Sequence, residues 1–196
     1  MKTSRSYTMD ARARAVEATR TRIADALFAL ASRHRLAEIS LDDVAAAAGV
    51  SVQTVLRHYG SRSGLIEGVR DYATARIVEE RTAPVGDVDG AIRILLDHYE
   101  KHGRMSLLFL AQEDDDAVIA GITTRGKRVH RDWVSEVFAP FATGDDALLD
   151  LLVVATDVYT WKLLRLDRQL SRSRVQQRMA TLVRAVLDAP ARTEED

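Results

Sequence analysis

Between Ser51 and Arg62 the chain gathers side chains able to read and hold a polyanion: Ser51, Gln53, Thr54, Arg57, His58, Tyr59 and Arg62. An amide such as Gln53 pairs bidentately with adenine. Thr54 can donate to a base edge or touch a thymine methyl, and Arg57 can reach a guanine or a phosphate. Tyr59 and Arg62 stand where a hydroxyl and a guanidinium hold phosphates, and the open N–H groups of a helix starting after Ser61 bind phosphate as well. Val52 belongs to the same strip, although its side chain, like those of Val55 and Leu56, equally suits packing. Upstream, Arg20 and Arg22 are either further phosphate contacts or solvated helix charges.

Two short helices joined by a tight turn would position these groups. Ser40 caps a helix over about 41–48, with Asp43 at the third position in a capping-box arrangement, and Gly49 suits the left-handed turn that ends it. Ser51 caps a second helix over 52–59, closed by Gly60, and Ser61 caps a third over about 62–81. Val44, Val50 and Val55 are spaced to share a small core, which leaves the polar strip free to enter a major groove. That is helix-turn-helix anatomy.

The rest of the chain is also helical in period, so we expect an all-α fold. A first helix spans about 10–34. Arg81–Gly90, RTAPVGDVDG, is the clearest breaker. Beyond it we expect helices over about 88–102, 104–111, 114–138 (weakened at Gly121 and Gly126), 145–167 and 171–188. Pro140 and Ala142-Thr143-Gly144 form a second break. The expected division is a DNA-binding domain at 1–81, with its reading motif at about 41–60, and a larger helical domain at 87–190.

Composition narrows the function. The 196 residues contain no cysteine, which removes disulfides, thiolate nucleophiles and Cys-type zinc sites, and suits a cytoplasmic location. The net charge is −1, but residues 1–70 carry 11 basic against 7 acidic side chains and residues 71–196 carry 17 against 22. An anionic partner is therefore expected for the first third only. The amino terminus is polar and does not read as a secretory signal. The most apolar run, Ala147–Leu166, contains Asp150, Asp157, Lys162 and Arg165, so no membrane span is expected. A phosphate loop, a dinucleotide fingerprint, an HExxH and a nucleophile elbow are all missing. The chain reads as a non-enzyme, with an all-helical enzyme or an effector-free architectural DNA binder as alternatives.

The order Thr19-Arg20-Thr21-Arg22-Ile23, Leu41-Asp42-Asp43-Val44-Ala45, Ala48-Gly49-Val50-Ser51, Thr54-Val55-Leu56-Arg57-His58-Tyr59 and Leu65 resembles the TetR family of transcriptional regulators. Departures are Leu56 where the family usually has Tyr, Arg62 where it has Lys, and Ser63-Gly64 where a Glu usually follows. The resemblance implies a ligand-responsive repressor. As a homodimer built on the last two helices, it would bind a pseudo-palindromic operator in double-stranded DNA. It also implies a small-molecule effector, of unknown identity, held in the second domain.

Candidate effector contacts are His98, Tyr99, Phe109, His130, Trp133, Asp157 and Trp161; the aromatics equally suit core positions, and Asp157 equally suits a pairing with an Arg at the dimer seam. The last two helices carry wide apolar faces, which fits a four-helix interface between subunits or packing inside one. His98 and His102 share a helix face at a spacing that metals use. No third ligand follows in sequence, so neither a metal nor any cofactor is expected. Glu113–Asp116 lacks the pattern of a calcium loop and reads as a solvated helix start.

Overall fold

The computed structural model describes residues 3–142 and 144–189; Thr143, part of the second expected break, lies outside them, as do residues 1, 2 and 190 at the edges of the expected domains. Every regular element among the described residues is helical. None of these helices is long and apolar enough to cross a membrane. The chain separates into two compact units, Met1–Ala75 and Arg76–Asp196, with the division falling inside a helix rather than in the Arg81–Gly90 breaker.

In the first unit α1 (Thr3–Ala31) packs on α2 (Leu41–Ala48), which is followed by α3 (Val52–Tyr59) and by α4 (Arg62–Glu80), whose end from Arg76 belongs to the second unit. The helix-start chemistry is as the residues dictate. Ser40 Oγ accepts from Asp43 N–H at 3.1 Å while Asp43 accepts from Ser40 N–H at 2.9 Å. Gly49 takes φ +64°, and its N–H closes α2. Leu27, Leu36, Ile39, Val44, Leu65 and Ile66 are buried around one point, so α1, α2, α4 and the short 3₁₀ turn Leu36–Glu38 share a core.

The second unit is built on α5 (Val88–Leu110), which contacts α6 (Ala117–Val137), α9 (Val158–Lys162) and α10 (Arg172–Leu187); α8 (Asp146–Thr156) lies against α6 and α10, and α7 is the single turn Ala139–Ala142. Ile92, Leu95, Leu96, Val134, Phe138, Leu152, Val175, Met179 and Val183 fill its core.

Three sequence expectations are corrected here. The helices expected at 88–102 and 104–111 are one helix. Gly103 does not end it, because Trp161 packs there: a Cβ on Gly103 would lie 2.6 Å from Trp161 Cζ3. The glycine permits close approach. The helix expected over 145–167 is broken at Asp157, which leaves helical geometry (φ −70°, ψ 155°) and caps α9 by accepting from Tyr159 N–H at 2.8 Å; a π-helical turn, Leu163–Asp167, follows. Finally, α6 starts at Ala117 rather than 114, because Asp116 is the residue whose carboxylate accepts from Val118 and Ile119 N–H. Glu113 instead pairs with Lys127 at 2.8 Å.

Candidate functional site

The polar strip sits on α3. Val55 is 0% exposed and anchors the helix to the first unit's core. Gln53 and Arg57, four residues apart and on one face, are exposed with Ser51, while Val52, Thr54 and Leu56 are half-buried. Ser51 Oγ accepts from Thr54 N–H at 3.2 Å and lies 3.0 Å from Thr54 Oγ1, so both hydroxyls serve the cap in this state. His58 is half-buried, and desolvation with the nearby Arg57 and Arg20 charges lowers its pKa.

The residues expected to hold phosphate also brace the unit. Tyr59 O–H donates to the Arg20 carbonyl at 3.2 Å, and the Arg20 guanidinium lies over the Tyr59 ring at 5.3 Å. Arg62 donates from Nε to the Ile39 carbonyl at 3.1 Å and from Nη2 to the Leu36 carbonyl at 2.5 Å. Arg22 is exposed on α1. Ser63-Gly64 has a local reason: a Cβ on Gly64 would lie 2.2 Å from the Tyr59 carbonyl oxygen, so glycine lets α4 start directly against the end of α3. Ser61 Oγ accepts from Gly64 N–H at 3.0 Å and caps that start.

In the second unit Tyr99, His130 and Trp133 are buried and joined by a polar chain. Tyr99 O–H donates to the Thr156 carbonyl at 2.8 Å. Thr156 Oγ1 is 3.2 Å from His130 Nε2, and Arg81 Nη2 donates to His130 Nδ1 at 2.7 Å. Because a guanidinium only donates, His130 Nδ1 accepts and its proton is on Nε2. Trp133 Nε1 donates to the Arg81 carbonyl at 2.6 Å, with the Arg81 guanidinium 4.5 Å above its ring. Burial lowers the His130 pKa to about 3 and the His98 pKa to about 2, with the Arg81 charge adding to both. Burial likewise raises Tyr99 and lowers Arg81.

Sequence reasoning passed over Arg81 as the first residue of a breaker. It is 5% exposed, has no carboxylate within ion-pair distance among the described residues, and leaves Nε unpartnered. Trp161 donates to Glu100 at 3.3 Å and its ring lies 5.9 Å from that of Tyr99. Phe109 and Asp157 are half-buried, and Phe109 takes no part in the polar chain. Asp157 caps α9, and burial raises its pKa.

His98 and His102 do share a face of α5, with ring centroids 5.0 Å apart. The structure adds a neighbour from α4: Glu80 Oε2 lies 3.2 Å from His102 Nε2. One ligand atom from each of Glu80, His98 and His102 lies within 4.8 Å of the others. Leu151 (52% exposed) and Val154 (63%) on α8 and Leu182 (41%) on α10 are large apolar side chains left exposed on two helices that pack together.

Residues 23–69 match the profile of the family "Bacterial regulatory proteins, tetR family". Among solved structures, a transcriptional regulator from Rhodococcus sp. Rha1 is similar with TM-score 0.64 at 18% identity, over 86% of this chain and 95% of that one. A tetR-family transcriptional regulator from Streptomyces coelicolor is similar with TM-score 0.61 at 21% identity, over 89% of this chain and 90% of that one. At these identities the likeness is one of fold. No functionally curated protein matches the chain significantly in sequence.

Proposed function

We propose that the chain is a ligand-responsive repressor acting as a homodimer, because residues 23–69 match the tetR-family profile and the chain shares the fold of solved transcriptional regulators, one of them described as tetR-family; members of that family are regulators, not enzymes. The observation that carries the reading is α3. Val55 faces inward, while Gln53 and Arg57 face solvent beside an amino-terminal hydroxyl pair. A helix presented this way enters a major groove with Gln53 on an adenine and Arg57 on a guanine or a backbone phosphate. Arg20 and Arg22 add phosphate contacts, while Tyr59 ties the end of α3 to the Arg20 carbonyl and Arg62 ties the start of α4 to the Leu36 and Ile39 carbonyls.

Leu151, Val154 and Leu182 support the dimer. Large apolar side chains exposed on two packed helices are costly in water, and a second copy related by a two-fold axis would offer the same residues to cover them. Two copies of α3 so related read half-sites one helical turn apart, or a multiple of it. An effector in the second unit, among His98, Tyr99, Phe109, His130, Trp133, Asp157 and Trp161, would bind one attitude of α4 better than another and so lower operator affinity. Arg81 supports such a ligand, since a buried guanidinium without a counter-charge gains from an acidic group.

A second reading, a DNA binder without an effector, is favoured by one observation: the Tyr99, Trp133 and Trp161 polar atoms already have partners inside the unit. Gel-shift titration on the DNA flanking the chain's own gene tests the first reading. Sequence-selective binding is expected, released by a component of a small-molecule extract. Selective binding that no small molecule releases favours the second reading, and the absence of selective binding contradicts both.

A further inference from the structure

We propose that Glu80, His98 and His102 bind a divalent transition-metal ion that joins the last turn of α4 to the middle of α5. This goes beyond the regulator reading, since it requires neither DNA nor an organic effector. Two imidazoles four residues apart on one helix face offer nitrogen ligands from consecutive turns. The carboxylate comes from 18 residues earlier, across the Thr82–Asp87 connection, which is why no third ligand was visible near the histidines. Ligand atoms within 4.8 Å of one another need only side-chain rotation to close on an ion at about 2.0–2.2 Å.

A second observation points the same way. His98 is 6% exposed, yet its Nδ1 has no hydrogen-bond partner. Buried polar side chains are normally satisfied, and a bound ion is one account of an orphan of this kind. Around the ligands, Arg76 and Lys101 approach Glu80 Oε1 at 3.5 and 3.8 Å, which leaves Oε2 directed at His102. Such outer contacts orient a ligating carboxylate.

The ligand set selects the ion. Two imidazoles and one carboxylate suit Zn(II), Ni(II) or Co(II), whereas Mg(II) and Ca(II) prefer all-oxygen shells. The neighbouring Arg76, Lys101 and Arg81 cations oppose a further positive charge. They set the affinity below that of a closed structural zinc site, in the range of an ion that exchanges.

The test uses the full chain, without a polyhistidine tag, stripped with a chelator and titrated with Co(II), Ni(II), Zn(II) and Mg(II). Calorimetry gives stoichiometry, and Co(II) visible absorption reports nitrogen ligation. One transition-metal ion per chain is expected, with no comparable Mg(II) binding. Glu80→Gln and His102→Ala should each weaken it roughly tenfold or more. Glu80→Gln keeps the side-chain shape and guards against misfolding, which circular dichroism checks. No saturable binding at one ion per chain, equal affinity for Mg(II), or unchanged affinity in both folded variants overturns the proposal.

Discussion

Gln53 and Arg57 are exposed because Val55 between them is not, so one buried valine determines which α3 side chains can meet a base edge. On the proposed reading Gln53→Ala would remove a bidentate pair, with an expected cost of about 1–3 kcal/mol of discrimination at one base pair and other positions unchanged, read by a competition series of single-base operator variants. Arg22→Ala should instead weaken all sequences alike and lower the salt slope by about one per subunit. His130 supplies a pH dependence. Folded, its pKa is about 3 against 6.5 for the ordinary group, so below pH 6.5 the unfolded chain binds the proton that the folded chain refuses. Stability is therefore lost as pH falls from 6.5 toward 3. Urea midpoints at pH 7 and 5 should show the drop, and His130→Gln should make it shallower.

At the scale of elements, the helix starts were legible because their chemistry is local. Ser40 and Asp43 lie three residues apart, and both capping bonds form between them. Ser40→Ala is expected to cost about 0.5–2 kcal/mol in chemical denaturation. Ser51 and Ser61 cap as their positions suggest. Apart from the start of α6, where four consecutive acids, Glu113–Asp116, precede the helix and only Asp116 caps it, what sequence missed was non-local. Gly103 reads as a stop until Trp161, 58 residues on, is seen against it. Gly103→Ala should destabilise by about 1–3 kcal/mol through that clash, although alanine is the better helix former. Asp157 inside an apolar run reads as a buried charge, yet it is a cap where the chain leaves the helix for one residue. Arg81 and Glu80 gave no local signal, because only the return of α5 and α6 shows what surrounds them.

For the whole molecule, the proposed dimer rests on Leu151, Val154 and Leu182, whose exposure in a single chain is a cost that association would remove. Leu151→Glu with Val154→Glu should yield monomers in light scattering. Operator affinity would then fall far more than from loss of either base contact, since one half-site is held without its partner. The most direct measurement is a footprint on the DNA flanking the chain's own gene, comparing the unaltered chain with Gln53→Ala and Arg57→Ala. Two protected half-sites related by two-fold symmetry, lost or re-specified in both variants, are expected. Uniform protection without sequence preference, identical in all three proteins, would contradict the placement of α3 in the groove.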